Sequence, residues 1–412
     1  MIAKALSSRL TKAIGGQALV SIFHFSINIL LLPLLSPHDY GIFALSFVLA
    51  LFAAAINNAL ISTPLSIYTP VIKAPAQRQQ QEALFNALNT FFFVGVLLLG
   101  IFSALGKQPI ALPVALFVAS YATRQFSRSF AYARLKAEIP ARADSVYVAV
   151  SALGCALAVY WWGSSALSGI LIALALGNTA ATLLEFYQLR DAWRLPASWS
   201  ALAQYRLLWP QTRWALIGAI TTLLMGQAHS IIVSSSFGPS AFAPLAAGGV
   251  LFGPIRVALT TWQNLSKPQM AIDLDERRFS AVSTRIKHTT WLMALALTAA
   301  AVGLFLLWPW IEQFLYAKKY ASEPMALIVA LWTVITLFVT INSPISAALQ
   351  ALADFKVLAY ASIFGALIST TLVISLLYSL GPASTLYGAL AAEVFMAIYL
   401  TIYLKRCFQV GT

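Results

Sequence analysis

Leu34-Leu-Ser-Pro-His-Asp-Tyr-Gly-Ile-Phe-Ala44 and Ser236-Phe-Gly-Pro-Ser-Ala-Phe-Ala-Pro-Leu-Ala246 carry one pattern twice. Pro37 and Pro239, Tyr40 and Phe242, and Ala44 and Ala246 each stand 202 residues apart. Each copy opens an apolar stretch of helix length. A weaker echo joins Ala133-Arg-Leu-Lys-Ala137 to Ala347-Ala-Leu-Gln-Ala351, offset by 214. Two halves of the same topology are a signature of membrane transporters.

Composition sets the solvent. Of 412 residues, 60% are hydrophobic and only 9% charged, and mean hydropathy is +0.81. A soluble domain carries about 25% charged residues to cover its surface. These charges are too few, so lipid must replace water over much of the chain. The expected fold is all-α and integral to the membrane, with about twelve transmembrane helices. They are expected near residues 13–35, 41–69, 84–105, 109–132, 143–163, 165–187, 213–236, 240–265, 289–312, 322–348, 357–380 and 382–404, each long enough to span a bilayer. The expected domains are an N-terminal six-helix bundle, 1–187, a cytoplasmic linker, 188–212, and a C-terminal six-helix bundle, 213–412. An amphipathic piece of the linker would lie on the membrane. The loop from Lys267 to His288 is its counterpart, with a short surface helix expected there.

Charge placement gives the orientation. With the N-terminus inside, twenty of the 26 Lys and Arg residues fall in cytoplasmic segments. The outer loops hold only Lys107, Lys318 and Lys319, and Arg124, Arg128 and Arg256 remain inside helices. This bias predicts both termini in the cytoplasm. The net charge of +13 is spread between apolar stretches, which argues against nucleic-acid binding. The basic Met1–Lys12 and the apolar run behind it read as a retained first helix, not a cleaved signal.

Cys155 and Cys407 show no disulfide framework or metal spacing. His24, His38, His229 and His288 are scattered, so neither a metal nor a cofactor is expected. No GxxxxGK[ST] run is present to bind ATP. The outer loops are too short for an independent catalytic domain, and an enzyme of the same membrane would need one.

The first repeat, after a helix containing Gly15 and Gly16, resembles the polysaccharide transporter family, whose turn there reads Leu-Gly-Pro-Glu-Asp-Tyr-Gly. Ala348-Leu-Gln-Ala-Leu-Ala-Asp-Phe-Lys-Val-Leu358 resembles that family's later Ala-Leu-Gln-Ala-Leu-Gly-Asp segment. Ser36 and His38 depart from the family's usual Gly and acid. The likeness spans the chain and implies the multidrug/oligosaccharidyl-lipid/polysaccharide (MOP) flippase fold. It implies a flippase of the bacterial cytoplasmic (inner) membrane carrying undecaprenyl-diphosphate-linked oligosaccharide, an O-antigen or exopolysaccharide repeat unit, by alternating access. Implied partners are that substrate, membrane lipids and the polysaccharide polymerase or export proteins; a monomer is expected. The alternative is a cation-coupled multidrug or small-molecule antiporter of the same superfamily, but helix one has no acid to serve it.

A diphosphate crossing a bilayer needs a cationic cavity, and arginine's planar fork fits phosphate oxygens. Arg256 lies deep in the eighth span, just after Gly253-Pro254, which should unwind the helix. It faces a cavity, or it pairs with Glu393 or Glu185. Arg124 and Arg128, at i and i+4, form a phosphate-loading site or snorkel to the headgroups. His24, Asn28, Asn57, Asn58, Gln227, His229, Trp262 and Gln263 bind sugar hydroxyls or join helices to one another. Glu393 and Glu185 carry a coupling proton or neutralise arginine.

Overall fold

The computed structural model describes residues 2–69, 72, 74–106, 108–134, 136, 138–190, 200–316, 319–352 and 354–411. These are helices and turns, with no strand among the described residues. A helix satisfies its own backbone polar groups, which an open sheet in lipid cannot do. In chain order the helices are α1 (Ile2–Leu31), α2 (Pro37–Asn57), α3 (Pro75–Leu105), α4 (Ala111–Ala133), α5 (Glu138–Trp162), α6 (Leu167–Gln188) and α7 (Ser200–Phe237). Then come α8 (Pro239–Val250), α9 (Gly253–Asp275), α10 (Phe279–Leu306), α11 (Met325–Ala351), α12 (Phe355–Leu380) and α13 (Leu386–Gly411). A π segment, Asn58–Ser62, and a last turn, Thr63–Tyr68, prolong α2.

Among the described residues, nine helices are long and apolar enough to cross a membrane. Counted together as one broken span, α8 and the Gly253–Thr260 part of α9, bent by 61°, bring the number to ten. The other two of the expected twelve are α1, whose apolar part is Gly15–Leu31, and α4, which carries Arg124 and Arg128. The chain is a multi-pass helical membrane protein.

Several boundaries differ from expectation. The helix α7 starts at Ser200 and passes through Pro210, so much of the expected linker is continuous with the seventh span. Residues 191–199 of that linker lie outside the described residues. No separate surface helix forms between Lys267 and His288. Asp273 to Asp275 finish α9, Arg277 turns the chain with φ 56°, and α10 begins at Phe279. The chain divides into two compact units: Met1–His24 with Phe43–Ile220, and Phe25–Ile42 with Thr221–Thr412. The cuts fall inside α1, early in α2 and inside α7.

In the first unit α6 packs on α4 and α5, and α3 packs on α4. Small residues allow the α5–α6 approach. A Cβ on Gly154 would lie 2.7 Å from Ala173 Cβ, and one on Gly177 would lie 2.0 Å from Ser151 Oγ. Close approach through small residues is how membrane helices gain packing without a hydrophobic drive between them. In the second unit α11 packs against α9, α10 and α13, and α12 against α13. The two repeated turns meet within this unit: a Cβ on Gly41 would fall 1.9 Å from the Pro239 carbonyl oxygen. Lys319 caps the α1–α2 turn by donating to the Leu35 carbonyl, and partial burial holds its amine below the usual lysine range. Gly238 and Gly381 take φ of 83° and 86°, closing the α7–α8 and α12–α13 turns in a conformation open to glycine.

The π segment has a local cause and a local remedy. Pro64 has no N–H, so the Leu60 carbonyl loses its ordinary α-helical donor. Tyr205 of α7 supplies its hydroxyl to that oxygen at 2.6 Å. The Tyr205 ring packs on the core around Ile61, Leu65, Phe85 and Phe126. Tyr205→Phe keeps the ring and removes the donor. It should lower stability by about 0.5–1.5 kcal/mol, the net worth of a partly buried hydrogen bond. Thermal unfolding in detergent reads this, and an unchanged midpoint would show that the carbonyl finds another partner.

Candidate functional site

Both units bury charge, and they do so differently. In the first, Arg124 and Arg128 project from α4 one turn apart and meet Asp144 of α5. Arg124 Nη2 and Arg128 Nη1 both donate to Asp144 Oδ1, each at 2.5 Å. Arg124 is also held by Asn178 Oδ1 of α6 at 3.4 Å, and its guanidinium lies 4.0 Å from the centre of the Tyr147 ring. Arg128 Nη2 donates to Gln17 of α1 at 2.7 Å. His24 Nε2 and Tyr147 Oη are 2.6 Å apart. Glu185 of α6 is hydrogen-bonded to Ser127. Arg124, Asp144 and Glu185 are each no more than 1% exposed.

A carboxylate shared by two cations solves the electrostatic problem set by α4. An unpaired arginine costs several kcal/mol inside a bilayer, and a buried pair survives where its geometry is good. Sequence reasoning named Arg124, Arg128, His24 and Glu185 and missed Asp144, Asn178, Tyr147 and Gln17. The missed signal was the i, i+3 spacing of Asp144 and Tyr147, which puts a carboxylate and a ring on one face of α5.

In the second unit Arg256 is in the opening turns of α9, after the break at Leu251–Phe252. Pro254 cannot donate to the Val250 carbonyl, and Phe252 N–H turns back to the Gly249 carbonyl at 3.3 Å. The sequence-based expectation of unwinding at Gly253-Pro254 matches this break. Gly248 and Gly249 precede it and receive the Trp332 ring. A Cβ on Gly249 would lie 3.0 Å from that ring, and one on Gly248 would lie 2.7 Å from Ile328. Trp332 Nε1 donates to the Leu245 carbonyl at 2.8 Å, which fixes the indole. The Arg256 guanidinium lies 4.7 Å from the ring centre, within cation–π range.

His229 of α7 packs edge-on against Trp332, with ring centres 5.5 Å apart. Its neighbour Ser230 donates to Gln227 at 2.9 Å. Glu393 of α13 acts on Arg256 through its charge but accepts its hydrogen bond from Asn342 Nδ2, at 2.7 Å. Within this unit, and among the described residues, the Arg256 guanidinium forms no ion pair and no hydrogen bond. Of the two pairing alternatives, Glu393 stays a distant counter-charge, and Glu185 belongs to the first unit's cluster. Trp332 escaped sequence reasoning although it stands eight residues into a 27-residue helix, away from the ends where interfacial tryptophans gather.

The remaining polar candidates lie elsewhere. Asn57 donates to Asn89 at 2.9 Å and accepts from Ser62, beside the π segment. Asn58 is exposed, and Asn28 is half-buried in the second half of α1. Gln263 donates to Ser343 Oγ at 2.6 Å, and Trp262 packs on the core around Ile345 and Met396. Among the described residues no group of His, Cys, Asp or Glu could hold a metal ion.

This arrangement of helices has known counterparts. The fold is that of the MATE and MurJ transporters. An inward-facing multidrug resistance MATE family transporter of the MOP superfamily superposes with a TM-score of 0.69 at 13% identity, covering 94% of this chain and 95% of that one. The lipid II flippase MurJ in an inward closed conformation gives 0.65 at 15% identity, covering 98% and 87%. MATE in complex with MaL6 gives 0.59 at 13% identity. No protein-family model and no curated protein matches the chain.

The contrast between the arginines predicts opposite costs. Arg124→Gln leaves Asp144 and Glu185 with half their positive charge and should cost about 3–5 kcal/mol, as breaking a buried pair does. Arg256→Gln strands no carboxylate hydrogen bond and removes a charge without an ion partner, so it should cost far less than Arg124→Gln. Unfolding midpoints of both variants in one detergent decide this, and equal losses would mean Arg256 has a structural partner.

Proposed function

We propose that the chain is a flippase for an undecaprenyl-diphosphate-linked oligosaccharide in the bacterial inner membrane, with Arg256 as the diphosphate contact. The carrying observation is Arg256 itself, a guanidinium in a spanning segment that no carboxylate takes up within its unit. Its neighbours suit an anion. Arg256 also lies in the first turn of α9, at the positive end of that helix dipole. Trp332 holds the cation in place and shields one side of it, and Glu393, engaged by Asn342, does not compete for it at contact distance.

The reading fits the likeness to the polysaccharide transporters and the MurJ fold, and it makes the cycle one of alternating access between the two units. The lipid tail stays in the bilayer, so the protein has only the polar head to carry. Asn28, Asn57, Asn58, Gln227 and His229 are the proposed contacts for sugar hydroxyls. Polysaccharide polymerase or export proteins are the proposed partners. The antiporter reading draws on the MATE fold and on the buried carboxylates of the first unit. A cationic cargo would be repelled by Arg256, so that reading has to place its site on Asp144 and Glu185 alone.

Deleting the gene should abolish surface polysaccharide and build up lipid-linked intermediate on the cytoplasmic side. Wild type should restore the polysaccharide. Arg256→Ala, present at normal membrane level, should fail, because a lost charged hydrogen bond of about 1.5–3 kcal/mol weakens head-group binding by roughly 10- to 100-fold. Unchanged surface glycans with raised drug sensitivity would replace the flippase by the antiporter.

A further inference from the structure

The first unit's arginine pair is occupied, and the occupant fits poorly. Asp144 Oδ1 takes both guanidinium donors at 2.5 Å, while Asp144 Oδ2 has no partner among the described residues. Arg124 Nε is likewise buried without a partner. A carboxylate facing two arginines normally spreads them over both oxygens, or takes one in a bidentate fork. Here one oxygen does the whole task and a donor is left over. Partly satisfied buried networks are costly, so this arrangement is poised to exchange its anion for one with more acceptor atoms.

The cluster also has an edge. Arg124 is fixed by Asn178 and by the Tyr147 ring, whereas Arg128, 7% exposed, is closed off by the side chain of Gln17 on α1. Gly16 lies directly behind Asp144. A Cβ there would come 2.7 Å from Oδ2, so α1 leaves the carboxylate just enough room. Asp144 stands two turns into α5, near the end that the charge bias places in the cytoplasm.

We propose that Asp144 is a stand-in for substrate phosphate: an internal anion that occupies a second diphosphate site on Arg124 and Arg128, yields to the head group during loading, and returns when it leaves. The inference rests on the diphosphate reading of the substrate. It differs from that reading in locating a second anion site, in the other unit, masked at rest. The resident carboxylate lets α4 cross the membrane when no substrate is bound. It also keeps the site weak enough to release the head group, since an arginine pair without a competitor would retain a diphosphate. Gln17 then acts as the movable cover over Arg128.

Inorganic pyrophosphate is the probe, titrated by calorimetry into the full-length protein in detergent. Wild type should bind one equivalent, and Arg256→Gln should remove it. Asp144→Asn should add a second equivalent, binding about tenfold or more tighter than any residual uptake by Arg256→Gln. The gained site should persist in Arg256→Gln/Asp144→Asn and vanish in Arg128→Gln/Asp144→Asn. Asp144→Glu, which keeps the competitor, should show no gain. Where Asp144→Asn does not fold, Gly16→Ala crowds the carboxylate off the arginines without changing any charge, and it should show a smaller gain of the same site. An Asp144→Asn protein that folds and binds only at Arg256 overturns the proposal and leaves the Arg256 reading intact. So does a folded Gly16→Ala protein without gain when Asp144→Asn fails to fold. Loss of all binding in wild type would instead remove the diphosphate reading on which both rest.

Discussion

Asp144 makes α4 possible. A helix with two arginines one turn apart cannot be stable in a bilayer by itself, and α4 falls outside the helices apolar enough to cross alone. One carboxylate on α5 takes up both of those charges within the unit. That requirement fixes much else. Asp144 must reach α4 at contact distance, so α5 and α6 must pack closely, which Gly154 and Gly177 permit. Asn178 and Glu185 then face the same pair from α6, and Gln17 and His24 of α1 close the cluster. The packing of the first unit follows from a charge that could not be left alone.

The second unit answers the same problem by another route. Arg256 is stabilised by the face of an indole and by a helix break that brings polar backbone to its level. A ring attracts a cation through its quadrupole without neutralising it. The positive potential therefore remains available to an anion, whereas in the first unit Asp144 consumes it. The glycines at 248 and 249 serve this arrangement, because any larger residue would push Trp332 off α8.

Much of the fold was legible in the sequence because lipid imposes simple rules. Apolar length marked most of the spans, and lysine and arginine gave an expected orientation; the compact units exchange a segment around the α1–α2 turn that the 202-residue echo did not announce. Gly253-Pro254 announced the broken span through the chemistry of proline. Boundaries in the polar segments were less readable: α7 absorbs Pro210 and runs back to Ser200, where composition suggests a linker. The site was half legible. Intramembrane arginines stand out because they violate the surrounding composition, and so did Glu393 and Glu185. Asp144 did not stand out, since two residues from Arg142 it resembles an ordinary interfacial charge. Its importance comes from α4, distant in sequence, and no local pattern encodes that contact. Trp332 is similar, because an aromatic residue in an apolar run is unremarkable until a cation lies on it.

The two repeats have therefore diverged in their charges more than in their backbone pattern. At the offset of 214, Arg128 corresponds to Asn342, which hydrogen-bonds Glu393 where Arg128 bonds Asp144. An amide needs no counter-ion, so the second unit has no Asp144 to install and is free to carry an unneutralised arginine on a different helix. A pair of identical halves would have had either two masked cations or two open ones. With one of each, the first unit holds its arginines against a carboxylate and the second holds Arg256 against an indole, so the resting charge of the two units differs.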